Sequence, residues 1–166
     1  LKKNVQGNLQ IIKVGKITGQ IITKDSLDIN KNYIFRVTTN QSFDAYFHIA
    51  IGIMEKSKAF EQQLRQYDLC FLTSQPNKGL DIIEKGQNLC DEGKRLQGIE
   101  VRINISKRIL KFCSYPNYYH INSCKAEKIQ DIDYNFCIQI SCIKGNFILG
   151  VETISDVSDD SFQTFN

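Results

Sequence analysis

Apolar and polar residues alternate along much of the chain, most regularly within residues 98–117. Over residues 99–106 every second side chain is apolar, and this period of two predicts a half-buried β-strand. A polar break at Lys107 and Arg108 precedes a second alternating run, in which Leu110 and Phe112 share a face. The stretch therefore predicts a β-hairpin. In its first strand the apolar face carries Ile99, Val101, Ile103 and Ile105, and the polar face carries Glu100, Arg102, Asn104 and Ser106.

Shorter runs of the same kind recur throughout the chain and are separated by turn residues. Residues 147–151 are expected to pair back onto the strand at 134–142. Within 47–53 the small residues Ala50 and Gly52 occupy one face, which predicts that another sheet or loop approaches this strand closely. The predicted strands lie at residues 9–14, 20–23, 33–39, 47–53, 67–73, 80–83, 99–105, 109–113, 134–142 and 147–151.

One segment, residues 57–66, has helical character, because Ser57 can cap it and Phe60 and Leu64 are i,i+4 neighbours. Many short strands with a single short helix predict an all-β fold, an antiparallel two-sheet β-sandwich. The sandwich domain is expected to span residues 1–154. Residues 155–166 are expected to form an acidic, flexible tail, in which Phe162 can dock.

Composition and charge narrow the class of protein. With 166 residues and 42% hydrophobic residues, the chain can form one domain with a substantial core. All 21 Lys and Arg residues precede Gly150, and four of the 18 acidic residues follow it. The basic residues are scattered singly along strand-like segments, which is typical of solvated faces and does not favour nucleic-acid binding. No apolar run approaches the roughly 18 residues that a membrane span requires.

The six cysteines lack the paired knuckle spacing of zinc sites, so no metal is expected. Most of them lie inside strand-like runs, where free cysteine behaves as a small buried hydrophobe. This use of cysteine predicts reduced thiols in an intracellular, cytoplasmic protein. Because the chain starts with Leu1 and not with Met, we expect it to be a fragment of a larger protein or a processed product.

Four segments, taken in order, resemble the landmarks of SPRY (B30.2-like) domains. Residues 33–37 (YIFRV) resemble the early "YYFEV" strand, and residues 48–53 (HIAIGI) resemble the "IGIG" strand. Residues 93–112 (GKRLQGIEVRINISKRILKF) are similar to the pattern GD-x-IGV-x-LDL-x-x-x-x-L-x-F. Residues 135–147 resemble the closing "YPAVSL…V-x-x-NF" pair. Together the segments cover nearly the whole chain, from about residue 8 to residue 152.

The chain departs from the family pattern at Asn104, where the family usually has Asp, and it contains no Trp. The turn at Lys107 and Arg108 also lacks the common Gly. The resemblance implies a divergent member with a bent SPRY/concanavalin-like sandwich that lacks enzymatic activity. It also implies binding of proteins or peptides through variable loops at one end.

By analogy of position with that family, the binding loops are expected around residues 66–68 and 115–120. Exposed tyrosines often anchor protein interfaces, although two of these can instead cover the core. The leading hypothesis is a non-catalytic protein–protein interaction module that serves as a scaffold or substrate-recognition domain of a larger protein. The candidate binding residues are Gln66, Tyr67, Tyr115, Asn117, Tyr118 and Tyr119.

Three other functions fit the sequence less well. A lectin-like, carbohydrate-binding sandwich is the alternative, but the chain has no Trp to stack on a sugar ring. An enzyme is not predicted, because neither His48 nor His120 stands beside a nucleophile motif and no paired carboxylates stand out. Accordingly no cofactor is expected, and nucleic acid is not an expected partner.

Overall fold

Two antiparallel sheets make up the described part of the chain. The computed structural model describes residues 2–3, 9–14, 17–40, 47–59, 61, 64, 69–72, 80–84, 97–142 and 146–163. The strands are β1 (Lys2–Lys3), β2 (Leu9–Val14), β3 (Ile17–Ile22), β4 (Tyr33–Thr39), β5 (Phe47–Glu55), β6 (Cys70–Leu72), β7 (Leu80–Glu84), β8 (Gly98–Asn104), β9 (Ile109–Tyr115), β10 (Ile121–Cys124), β11 (Tyr134–Cys142) and β12 (Asn146–Ser155). A 3-10 turn covers Ala126–Lys128, and a short helix, α1, covers Asp159–Gln163.

Sheet A has the strand order β1-β2-β12-β4-β8-β9-β10-β7, and sheet B has the order β3-β11-β5-β6. Every pairing within the two sheets is antiparallel. The predicted all-β, two-sheet sandwich is therefore confirmed, and its short helix is α1 at the C-terminal end, whereas the sequence predicts the helix at residues 57–66. The predicted hairpin is confirmed as well, since β8 and β9 pair with Val101 opposite Phe112. Its turn is closed by the Arg108 amide, which donates to the carbonyl oxygen of Ile105 over 2.9 Å.

The core lies between the sheets and is formed by the alternating apolar side chains that the sequence places on one face of each strand. Phe35 of sheet A stacks on Phe136 of sheet B, with ring centroids 3.8 Å apart and planes 4° from parallel. Phe112 and Phe71 make a second contact across the sandwich, at 5.9 Å. Each such side chain contributes about 1.5–3 kcal/mol on burial. The two sheets are thus packed against each other, and their outer faces are available for other contacts.

Two expectations about the local structure are wrong. β12 does not pair back onto β11: β11 pairs with β3 and β5 in sheet B, whereas β12 pairs with β2 and β4 in sheet A. The chain therefore changes sheets between β11 and β12. In the segment predicted as a helix, the described residues 57–59 and 61 form turns and Leu64 has 3-10 geometry, with the Lys58 amide donating to the Glu55 carbonyl. Phe60, the expected partner of Leu64, lies outside the described residues.

The close approach predicted at Gly52 is confirmed. A Cβ atom on this residue would lie 2.1 Å from the carbonyl oxygen of Leu69 and 2.7 Å from the Cα atom of Cys70. The backbone that leads into β6 therefore crosses directly over Gly52, and no larger residue fits there. β5 lies between β11 and β6, so it is an interior strand of sheet B.

Candidate functional site

The outer face of sheet A, turned away from sheet B, carries a row of charged and polar side chains that are buried. All seven residues of β8 are buried, so the expectation of a half-buried strand is wrong here. Glu100 is 0% exposed, Arg102 is 3% exposed and Asn104 is 1% exposed, whereas Ser106 beyond the strand is exposed. The polar row is buried because the loop at residues 115–120 and the C-terminal segment at 157–162 both contact it.

Glu100 is the centre of this polar row. Its two carboxylate oxygens accept hydrogen bonds from Arg36 Nε at 2.8 Å, Arg102 Nε at 2.7 Å and the Tyr118 hydroxyl at 2.7 Å. Arg36 also donates through Nη1 to Glu152 Oε2 at 3.2 Å. We call Glu100, Arg36, Arg102 and Tyr118 the Glu100 cluster. Because each member satisfies another, the cluster avoids the large cost of an unpaired buried charge.

The electrostatics of the cluster follow from burial and from the charge of Glu100. Burial raises the pKa of Tyr118 to about 12, and its hydrogen bond to the Glu100 carboxylate adds to the effect. Burial alone would lower the pKa of Arg36, but the hydrogen bond and the charge of Glu100 outweigh it, so this pKa lies above its ordinary value. The guanidinium of Arg36 also stands over the Tyr115 ring, 5.1 Å from its centroid.

The loop between β9 and β10 is closed by its own hydrogen bonds. The Ser114 amide donates to the His120 carbonyl at 2.9 Å, and the Tyr118 amide donates to the Ser114 carbonyl at 2.8 Å. The His120 amide in turn donates to Ser114 Oγ at 3.1 Å. Tyr118 adopts φ 48°, in the left-handed region that costs a non-glycine residue about 1–2 kcal/mol. This conformation turns the Tyr118 ring inward to Glu100, so the hydrogen bond of Tyr118 offsets the backbone cost.

The structure describes four of the six predicted binding residues, and it gives them different environments. Tyr118 is 7% exposed and belongs to a small outer cluster with Cys113 and Ile121, against which Tyr115 packs. The next residue, Tyr119, is 59% exposed. Among the described residues, the other exposed large hydrophobic side chain is Ile29, at 37%. Asn117 is exposed as well.

Tyr118 therefore covers the outer sheet, and Tyr119 is the side chain that the loop presents. Gln66 and Tyr67, and with them the predicted loop at 66–68, lie outside the described residues.

The sequence interpretation missed Glu100 and Arg102, which it assigned to a solvated face. A signal was present: two opposite charges stand two residues apart on one strand face, a spacing at which they can pair and share a cross-strand partner. The partners Arg36 and Tyr118 lie 64 and 18 residues away from Glu100, so no local pattern could identify them.

The cysteines of the described region are structural in character. Cys70, Cys113, Cys124 and Cys137 are buried free thiols, in agreement with the predicted reduced state for these four. Burial raises the pKa of Cys137 to about 12, so its thiol is protonated and unreactive near neutral pH. Among the residues that the structure describes, no group of three or more His, Cys, Asp or Glu side chains is arranged to hold a metal ion.

Comparison with known proteins adds no identity: no protein-family model matches the chain, and no curated protein matches it either. The SPRY resemblance therefore stays a prediction from the sequence. The helices that the structure describes include none that is long and apolar enough to cross a membrane.

Proposed function

We propose that this chain is a non-catalytic protein-interaction module in which Tyr119 is the anchor for a partner protein. The observation that carries the proposal is the contrast between two consecutive residues of one loop. Tyr118 is buried and its hydroxyl donates to Glu100, while Tyr119 is 59% exposed. Holding Tyr118 inward fixes the direction in which the following residue projects. Tyrosine is enriched among the residues that dominate binding energy at protein interfaces.

Preorganisation supports this function. The backbone of the loop is closed by hydrogen bonds at Ser114, Tyr118 and His120, so little backbone entropy remains to be lost on binding. Pro116 and Asn117 of the same loop are also exposed, and the side chain of Asn117 is polar. A fixed aromatic side chain with a polar surround is the usual composition of an interface hot spot and its rim.

The chemistry of the Glu100 cluster supports a structural role and not a catalytic one. Its carboxylate faces three donors, two of them permanently cationic, so it is not placed as a general base. The cluster holds the loop against the outer face of sheet A through the hydrogen bond from Tyr118 to Glu100.

The test is a quantitative affinity purification with the full chain as bait. Wild type is compared with Tyr119→Ala and with Ile29→Ala, since Ile29 is also an exposed large hydrophobic residue, at 37%, in a different loop. Loss of a hot spot of about 2 kcal/mol or more lowers affinity roughly thirtyfold. We expect specific partners of the wild type to be lost with Tyr119→Ala and retained with Ile29→Ala.

Direct binding of each recovered partner to purified wild type and Tyr119→Ala completes the test. Equal affinity for the two chains would remove Tyr119 from the interface. A glycan array run in parallel covers the carbohydrate alternative: glycan binding that Tyr119→Ala abolishes would replace the protein-interaction proposal.

A further inference from the structure

The C-terminal segment of the chain is held on sheet A as a bound peptide would be. Asn32 Nδ2 donates two hydrogen bonds to it, to the Val157 carbonyl and to Asp159 Oδ1, both at 2.8 Å. At the other end of the segment, Arg102 Nη1 donates to the Phe162 carbonyl at 2.5 Å. Two side chains of the sandwich therefore bind two main-chain carbonyls and one carboxylate of a segment more than 50 residues away in sequence.

Asn104 sets the orientation of Asn32. Its side-chain nitrogen donates to Asn32 Oδ1 at 2.7 Å, and its oxygen accepts from the Lys107 amide at 2.8 Å. The oxygen of Asn32 is thereby occupied, and both of its N–H groups point at the segment. An aspartate at position 104 has no N–H to donate, so the amide at this position is what orients Asn32.

Charge and burial complete the contact. Lys107 pairs with the Asp159 carboxylate, and their hydrogen bond, followed by that of Asn32, holds the pKa of Asp159 below its usual range. Phe162 is 2% exposed. Ile34 neighbours Arg102 in register on the outer face and is 4% exposed, so this end of the face is covered.

These contacts define a short recognition pattern: a carboxylate at Asp159, an aromatic residue three positions later, and main-chain carbonyls before and after. Recognition of backbone groups together with alternate side chains is the general mode by which proteins bind linear peptides. The segment itself has few local contacts, because α1 has five residues and its ion pair joins side chains that are 44% and 67% exposed. Exposed pairs of this kind contribute about 0–1 kcal/mol, so the segment is held mainly by burial of Phe162 and by its hydrogen bonds to Asn32 and Arg102.

Opening removes the acceptors that Asn32 Nδ2 and Arg102 Nη1 contact, and a segment with the same carbonyl and carboxylate groups can replace them. We infer that this face of sheet A is a docking groove for a partner protein's acidic-aromatic peptide of the form Asp-x-x-Phe. The chain's own residues 159–162 occupy the groove and compete with that peptide. The groove contacts come from Asn32, Lys107 and Arg102, of which Arg102 also belongs to the Glu100 cluster beneath the Tyr119 loop.

The experiment measures binding of a fluorescein-labelled peptide of residues 155–163 (SDVSDDSFQ) to the full chain by fluorescence anisotropy. In the chain, Asp159→Ala removes the carboxylate that Asn32 and Lys107 hold, and Asp159 is a surface residue whose replacement does not disturb the core. We expect the variant to bind the labelled peptide about tenfold more tightly than wild type, because its groove is open more often. Equal affinity for the two chains would overturn the inference.

Specificity is tested on the peptide, where folding of the chain is not affected. A peptide with Asp159→Ala and a peptide with Phe162→Ala should each bind at least tenfold more weakly than the parent peptide. A peptide that keeps full affinity without its Phe would contradict the pattern. The chain carrying Tyr119→Ala in addition to Asp159→Ala should bind the peptide unchanged, whereas loss of binding would show that the site is the Tyr119 loop and not this groove.

Discussion

Replacing Glu100 with glutamine removes a buried negative charge while the shape of the side chain is kept. The carboxylate accepts from Arg36, Arg102 and Tyr118, and it is 0% exposed. In Glu100→Gln one oxygen becomes an NH2 group, which must face a donor on whichever side it lies. At least one hydrogen bond becomes a donor–donor contact, and the guanidinium of Arg102, 3% exposed, loses the negative charge that it contacts at Glu100.

The size of the effect follows from this burial. Removing one partner of a buried ion pair costs about 3–5 kcal/mol, because the remaining charge stays desolvated. A loss of this size is a large part of the 5–15 kcal/mol that typically stabilises a domain. At about 2–4 °C per kcal/mol for a chain of this length, the melting temperature should fall by roughly 6–20 °C.

The assay is equilibrium unfolding in urea followed by far-UV circular dichroism, with the m-value checked for two-state behaviour. Glu152→Gln is the matched control, since Glu152 binds the same Arg36 at 3.2 Å but its side chain is 42% exposed. Exposed pairs contribute about 0–1 kcal/mol, so this variant should stay within about 1 kcal/mol of wild type. If Glu100→Gln lost no more stability than Glu152→Gln, the Glu100 cluster would not be the buried ionic centre described here.

Two further predictions concern the platform and the loop. Gly52→Ala should cost more than about 3 kcal/mol in free energy of unfolding, since its Cβ would meet Leu69 O at 2.1 Å and Cys70 Cα at 2.7 Å. In contrast, Gly19→Ala, with nothing within 4 Å, should change stability by less than about 1 kcal/mol, and equal losses would refute the clash. The pKa of Tyr118 is near 10 in the unfolded chain and is raised to about 12 in the folded chain. The contribution of this shift to the free energy of unfolding, at most about 2–3 kcal/mol, is therefore complete below pH 10 and is lost as the pH rises towards 12. Unfolding of wild type and Tyr118→Phe across this range should show their stability difference narrowing; a constant difference would contradict the assigned burial.

The alternation of residues predicted the strands well, because a period of two depends only on which side chains face a core. β4, β5, β8 and β9 lie where their patterns indicated, and the hairpin turn at 105–108 is in place. The same patterns could not predict pairing between strands, as β11 and β12 show by joining different sheets. Periodicity identifies the face that is buried, but it contains no information about which strand lies alongside.

The candidate site was predictable to a similar extent. The aromatic loop at 115–120 was identified from composition, but the opposite roles of Tyr118 and Tyr119 depend on Glu100, which lies 18 residues away in the chain. The sequence indicated that Phe162 can dock, but its contact with Arg102 spans 60 residues, so no local pattern could predict where it docks.

The sequence by itself determined that this chain is an all-β sandwich, because alternating apolar side chains lose contact with water only by facing a second sheet. Tertiary structure alone decided that Glu100, Arg102 and Asn104 are buried. The physical reason is that a charged strand face leaves water only where partners from elsewhere in the chain replace its hydrogen bonds, and those partners come from β4, the 115–120 loop and the C-terminal segment.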